Sequence, residues 1–399
     1  MQLCFFEDTL CQRLYPLLLT RPAADLRTGI LTISEKWKHA LQATKVVQLL
    51  RKELKDIFLQ DNLSSSDPCL WINARYLPDD DLIDKVHELS VGSCLRTDST
   101  VIAAVVDGRI ATRWLEEGAP DFSTLLPLKA ADFSSIDSLW DLYLMNGDQI
   151  RKDIRLLQPG KSKSVSISRH AMLEQEEDIY MEEGVTVEPG AIVSAKEGPV
   201  YLGKNATVMS GAIVRGPVAV CEHSIVKMGA KVYGDTTIGP VCKVGGEVSN
   251  TVFHSYSNKA HDGYIGNSVI GQWCNIASGT TISNLKINYN NISITDWMSG
   301  DEVDTGQQFL GLIMGDHSKT AINCVIDSGS LFGVNSNILT RGFPPRHVPS
   351  FSWVDPHGIQ PYKLDKAYKA MEAMMKRRGV ALTGAQKKLM EYIFEHSRC

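Results

Sequence analysis

From Leu202 onward an aliphatic residue returns at every sixth position: Leu202, Val208, Val214, Val220, Val226, Val232, Ile238 and Val244. A helix repeats its apolar face every 3.6 residues and a lone strand every second residue, so neither accounts for a sustained six. Glycine and proline inside the units, as in "VRGPVA" and "IGPVCK", exclude a coiled coil. A parallel β-helix satisfies the spacing. Three units make one triangular coil, the aliphatic side chain points into the dry interior, and small or turn-prone residues round the corners.

The beat breaks after Val244 and resumes at Tyr264, Ile270, Ile276 and Ile282. The step from Val244 to Tyr264 is not a multiple of six. The beat fades through 285–312 and returns at Ile326, Phe332 and Ile338. Interruptions of a solenoid are expected to extrude loops on one face, where function concentrates. The first break holds His261, within "YSNKAHDGYIGNSVIGQWCNIASGTTISN". The second, "LKINYNNISITDWMSGDEVDTGQQF", is polar and reads as a long surface excursion.

Residues 1–160 carry no such beat. "QLCFFED", "PCLWINARYL" and "STVIAAVVDGRIATRWL" read as short strands, and "TISEKWKHALQATKVVQLLRKELKDIF" and "DDDLIDKVHEL" as helices. Alternating strand and helix predicts an α/β domain with a largely parallel sheet. The Pro/Gly/Ser/Lys stretch "QPGKSKSVSIS" at 158–168 reads as a linker. The expected organisation is an α/β domain over 1–160, a β-helix over 161–350 and a helical tail over 351–399. In that tail Thr383 is placed to cap the second helix.

The 399 residues suffice for two or three domains. The 41 Lys+Arg against 46 Asp+Glu, a net charge of −5 with no basic block, argue against a nucleic-acid partner. None of the nine cysteines forms a C-x-x-C pair, so reduced, buried thiols of a cytoplasmic protein are expected. "MQLCFFEDTL" lacks a basic n-region and an apolar h-region. No apolar run approaches the roughly 20 residues of a membrane span, so no membrane association is expected.

The hexapeptide signature resembles the left-handed β-helix acyltransferases. That resemblance implies a left-handed coil, a homotrimer, and acyl-donor sites between neighbouring prisms. The stretch "RLYPLLLTRPAADLRTGILTISEKW" resembles a degenerate sugar-phosphate nucleotidyltransferase opening. Arg13, Pro16 and Leu17 match in order and Lys36 stands for a later lysine, with Arg21 and Arg27 as further cations for a nucleotide. Two departures matter. The glycine loop that would wrap phosphates is replaced by "FEDTLCQ". Asn73-Ala74-Arg75 stands where the family carries a metal-binding Asp after Asn-Gly, and a cation does not ligate Mg²⁺.

An α/β domain followed by a hexapeptide helix resembles the bifunctional family that makes UDP-N-acetylglucosamine. There the first domain is a uridylyltransferase and the second acetylates glucosamine 1-phosphate from acetyl-CoA. "TRPAADLRTGILTISEKW", "YSNKAHDGYIGNSVIGQWCN" and "MGDHSKTAINCVIDSG" carry the likeness to a divergent branch.

Acetyl transfer to an amine needs a base with a pKa near neutrality, which histidine supplies without large tuning. The family's Lys-Ala-Gly-His-x-x-Tyr appears here as Lys259-Ala260-His261-Asp262-Gly263-Tyr264, one residue shorter. The resemblance implies His261 as base and Glu247 beside it. It assigns Lys227, Lys259, Tyr264 and Asn275 to the sugar phosphate, and Asn284 and Arg346 to acetyl-CoA. Each has a plain alternative: a solvated turn histidine, a corner glutamate, a core tyrosine, stacked asparagines, a surface arginine. His223, His254, His261 and His317 raise a three-histidine zinc site, but no pair has convincing ligand spacing, and no metal is expected there. Mg²⁺ is implied only if the first domain is active. Two other readings stay open: a non-catalytic nucleotide-sugar-binding first domain that regulates the β-helix, and a nucleotidyltransferase whose β-helix is structural.

Overall fold

The computed structural model describes residues 1–160, 162 and 164–396. Two compact units are present. The first comprises Met1–Leu14, Thr20–Leu26 and Leu31–Ser138, and the second comprises Tyr15–Leu19, Arg27–Ile30 and Leu139–Cys399.

The first unit is built on a six-stranded sheet: β1 (Gln2–Phe6), β2 (Lys45–Gln48), β3 (Cys69–Asn73), β4 (Ser93–Arg96), β5 (Val101–Val106) and β6 (Leu126–Lys129). Its order is β2-β1-β3-β5-β4-β6. The sheet is mixed rather than largely parallel, because β5 runs antiparallel to both β3 and β4. Only a short turn joins β4 to β5, with Thr97 N–H donating to the Thr100 carbonyl at 2.9 Å. Such a connection is too short for a parallel crossover.

Two sequence expectations differ from the structure here. The long helical-looking run from Thr32 forms only α1 (Ile33–Ala40), closed by a Thr32/Glu35 capping box; β-branched Val46 and Val47 then take β2. "STVIAAVVDGRIATRWL" is strand only to Val106. Asp107 then caps α3 (Gly108–Glu117), which follows α2 (Asp80–His87), the helix expected from "DDDLIDKVHEL". Trp71 and Trp114 meet edge to face at 5.4 Å in the core of this unit.

The second unit begins with α4 (Asp141–Leu144) and α5 (Asn146–Leu157) and continues as a parallel β-helix. In its middle coils each ladder partner stands three full hexads further along the chain, as in Ile225↔Lys243 and Val218↔Thr236. The aliphatic beat lines the interior: Leu202, Val208, Val214, Val220, Val226, Ile238 and Val244 are fully buried and Val232 nearly so. The segment Arg27–Ile30 is held within this unit. Thr237 Oγ1 donates to the Gly29 carbonyl at 2.9 Å, and Gly29 N–H donates to Asn146 Oδ1 at 2.6 Å.

The first interruption is not an extruded loop. Glu247–Ser255 is one nine-residue strand running unbroken round a corner, paired with Tyr264–Gln272. Its coil is shortened, so that Lys231 pairs with Glu247 and Lys243 with Asn258, each step falling short of three hexads. That shortening breaks the beat. The second interruption does leave the prism, carrying the antiparallel pair Ser293–Thr295 and Glu302–Asp304. After the last coil, α6 (Leu364–Lys376) and α7 (Gly384–His396) pack together, with Gln386 N–H donating to Thr383 Oγ1 at 3.1 Å as the cap of α7. The eight cysteines among the described residues are buried and none is in a disulfide, and Cys399 lies outside them. No helix among the described residues is long and apolar enough to cross a membrane.

Candidate active site

His261 lies on the corner between the short strand Asn258–Lys259 and the long strand Tyr264–Gln272. Its side chain is exposed, and no described side chain hydrogen-bonds its ring. The backbone beneath it is held by an unusual device. Lys259 is the ladder partner of core Val244 and so takes an inward position, only 1 % exposed. Its Nζ donates to the carbonyls of Gly245 at 3.0 Å and His261 at 2.9 Å. Burial pushes the Lys259 ammonium down to about 8, with Asp262 opposing the shift. Gly246 makes room for this arrangement. It adopts φ +71°, and a Cβ there would lie 2.7 Å from both Lys259 Nζ and the Gly263 carbonyl.

One face beside the corner carries the outward row Lys231, Glu247, Tyr264 on three successive coils. Glu247 Oε2 is 3.8 Å from Lys231 Nζ. The Tyr264 hydroxyl accepts from Asn284 Nδ2 at 3.0 Å, and that amide also donates to Asn267 Oδ1 at 2.7 Å. Burial raises the Tyr264 hydroxyl; the Asn284 bond opposes it and Glu247 adds to it. Ile265, not Tyr264, is the interior residue of this coil, paired inward with Val248. A Cβ on Gly266 would sit 2.2 Å from the Tyr264 hydroxyl, so the glycine leaves the phenol its place.

The other face carries Lys243, Asn258, Asn275 and Lys319 in backbone register. Asn275 therefore stands apart from the Glu247–Tyr264–Asn284 group, with His261 on the corner between them. Lys227 sits in the corner column below Gly245 and Ala260: its Cβ is 3.1 Å from the place of a Gly245 Cβ. Arg346 pairs with Glu302 and donates to the Ser293 carbonyl at 3.2 Å, which ties the second interruption to the last coils. Lys231, Lys243 and Asn267 escaped the reading of the sequence, although counting one coil along the chain from Glu247, Asn258 and Asn284 would have pointed to them. His254 and His317 are buried, and His317 stacks on Trp273 at 6.2 Å.

Three of the four expected nucleotide cations, Arg13, Arg21 and Lys36, lie in the first unit. Arg13 is exposed, Arg21 is buried and donates to Asp25 at 3.4 Å, and Lys36 is buried. Arg27 belongs to the second unit and donates to the Ile30 carbonyl. The loop after β1 holds a carboxylate where a phosphate cradle would be. Asp8 accepts from Arg75 at 2.9 and 2.7 Å and from Asn73 at 2.8 Å, while Asp137 takes another Arg75 donor. Burial alone would raise Asp8, but hydrogen bonds from Arg75 and Asn73 outweigh it and hold the carboxyl below its ordinary value. A cavity of about 470 Å³ opens beside this loop, lined by Phe6, Glu7, Asp8, Thr9, Thr100 and Phe122 among others.

Comparison with known proteins bears on both units. Residues 3–162 match the family described as sugar nucleotidyl transferase. A bifunctional sugar-1-phosphate nucleotidylyltransferase/acetyltransferase of Sulfurisphaera tokodaii is 28% identical over 154 residues, 38% of this chain and 38% of that protein. An uncharacterized acetyltransferase, YaiX, of Escherichia coli is 23% identical over 171 residues, 42% of this chain and 74% of that protein. The bifunctional protein GlmU of Cyanothece sp. is 23% identical over 233 residues, 53% of this chain and 50% of that protein. The match thus spans well under half of the first relative and half of the last. With a sugar-nucleotidyl-transferase-type α/β unit at its start and a parallel β-helix after it, the chain is similar, over part of their length, to bifunctional nucleotidyltransferase/acetyltransferase proteins such as GlmU.

Proposed function

We propose that the β-helix unit is an N-acetyltransferase using acetyl-CoA and acting on an amino sugar phosphate of the glucosamine-1-phosphate kind. One observation carries this reading: an exposed histidine whose backbone is pinned by a buried lysine, on a corner flanked by a Glu/Tyr/Asn row and by a lysine. Acetyl-CoA, when bound, would supply the thioester carbonyl that an amine attacks; the carbonyl–sulfur bond breaks as the amide forms, and coenzyme A leaves as the thiol once it takes up the proton released by the amine. Glu247 holds the substrate ammonium, and His261 accepts the proton that the nitrogen must lose. Tyr264 and Asn275 bound the sugar on either side of the corner, and Lys227 faces its phosphate. Asn284 and Arg346 are assigned to the acetyl donor. Lys259 acts through the main chain, fixing where His261 stands. A cytoplasmic homotrimer, with sites completed between neighbouring prisms, belongs to the same reading.

The test is His261→Ala, with products identified by mass after incubation with acetyl-CoA and glucosamine 1-phosphate. Turnover should fall by about 10²–10⁴-fold, the range for a lost general base, with assembly unchanged. Wild-type turnover in that variant removes His261 from the mechanism.

For the first unit we infer binding of a sugar phosphate or nucleotide without efficient nucleotidyl transfer. A Mg²⁺-dependent site needs free carboxylates and a phosphate cradle. Asp8 is instead committed to Arg75, and the chain residues do not fit the metal. Pyrophosphate release by the full chain with Mg²⁺, UTP or dTTP and a hexose 1-phosphate should be slow or absent. Turnover near the usual enzyme median of about 10 s⁻¹ overturns this reading.

A further inference from the structure

The corner that carries His261 has more positive charge beside it than the sugar-phosphate reading uses. Lys243 lies one coil below Asn258 on the same outward row. Asn258 Oδ1 accepts from Arg378 Nη2 at 2.8 Å, which brings the carboxyl end of α6 onto that row from far along the sequence. Arg377 precedes it as the C-cap of α6, and Lys227 occupies the adjoining corner column. No carboxylate among the described residues pairs with any of these four cations. Glu372, the acidic residue one turn back on α6, is engaged by Lys387 at 2.7 Å. Helix α6 is not free to swing away: Ala367, Met371 and Met375 are fully buried, and Asn335 Nδ2 meets the Met371 and Met390 sulfurs at 3.5 and 3.4 Å.

Four like charges held together by rigid elements without a counter-ion repel one another. The half-buried Lys243 registers this: burial, and then Arg378, Lys227 and Arg377, hold its ammonium below the ordinary lysine range. An arrangement of this kind is relieved by a multiply charged anion, and two guanidinium forks beside two ammoniums suit the oxygens of a phosphate.

We propose that Lys227, Lys243, Arg377 and Arg378 form a phosphate-binding cleft beside the His261 corner, in which helix α6 supplies two of the four cations. The ligand is a phosphoryl group of a small molecule. The terminal phosphate of a sugar phosphate and the phosphates of coenzyme A share that chemistry. The placement as substrate cleft rests on the acetyltransferase reading above; anion binding by itself does not.

The test is calorimetric titration of the full chain with glucosamine 1-phosphate, coenzyme A and inorganic phosphate at one ionic strength. The wild type is compared with Arg377→Gln/Arg378→Gln, with Lys243→Met, and with Arg377→Lys/Arg378→Lys. The neutral variants should weaken the phosphate ligand by about 10–100-fold, and the lysine variant, which keeps the charge but loses the forks, should fall between them and the wild type. The source is the one of glucosamine 1-phosphate and coenzyme A whose affinity falls. A thermal melt reports folding, and if the double variant melts early, Arg377→Gln alone, at an exposed position, makes the comparison. Unchanged affinity for all three probes in a folded variant, or no binding by the wild type, overturns the proposal. Arginine-dependent binding without acetyl transfer keeps the cleft and removes the acetyltransferase reading. Acetyl transfer by the neutral variants with unchanged KM for both the sugar phosphate and acetyl-CoA removes the cleft alone.

Discussion

Lys259 shows how much one side chain can reveal when it stands in the wrong chemical place. Its ladder neighbour is a valine, and the core it enters is a cluster of buried hydrophobic side chains. A lysine held at about 8 against an ordinary 10.5 carries a burial penalty of roughly 3 kcal/mol wherever both states are protonated. Between pH 8 and 10.5 the unfolded chain binds the extra proton, so stability from this group rises with pH. In Lys259→Met the penalty is absent at every pH. The unfolding free energy of the variant minus that of wild type should therefore fall by roughly 3 kcal/mol between pH 7.5 and 10.5. Urea titrations at the two pH values check it, and a difference that does not move sinks the assignment. Arg75 is the opposite case, a buried cation with two carboxylate partners. Arg75→Met should cost about 3–5 kcal/mol at neutral pH, because it strands those charges. Asp8 is held below its ordinary value, so its contribution is present at neutral pH and is lost as pH falls from the usual aspartate range through the folded one. The acid limb of wild-type unfolding should show that loss, and the variant should lack it.

At the scale of elements, the corner Ala260–Gly263 is positioned by coil lengths. Two successive coils fall short of three full hexads, which slides Glu247 and Tyr264 into one row and turns a lysine inward. Gly246 is the hinge of that packing. Gly246→Ala forces a left-handed φ on a residue with a Cβ and drives that carbon against Lys259 Nζ and two carbonyls. Acetyl transfer should drop at least tenfold while the melting temperature shifts by only a few degrees, since the strain is local to the corner; kinetics and melting of the same preparation measure both. The hexad period was legible because each unit needs one interior aliphatic. The strand β2 was not, because Lys45–Gln48 lies inside a run whose charges also suit a helix, and only pairing with β1 selects the extended form.

For the whole molecule, the face bearing Lys231, Glu247 and Tyr264 continues on preceding coils as Met172, Ile192 and Ile213. Met172 and Ile213 are exposed, as is Met228 at the adjoining corner. An apolar strip in line with a polar site suits packing between copies, and a closed ring buries it on every subunit. Light scattering at low concentration should report three chains. Replacing Ile213 with Glu should shift the population toward one chain and lower acetyl transfer with it. A fully active monomer contradicts a site shared between prisms.

The sequence by itself determined the solenoid and the interior residues of its regular coils, because these follow from a period of six. It also showed that the first unit lacks a glycine loop and carries Arg75 in place of a carboxylate. Only the tertiary structure decided that Arg27–Ile30 belongs with the β-helix unit, that Asn275 and Tyr264 lie on different faces, and that Arg377 and Arg378 stand beside Lys243. The physical reason is the same in each case. Which residues meet across coils depends on the summed lengths of the corners between them, and what caps the prism depends on packing between segments far apart in the chain. Neither quantity has a local signature.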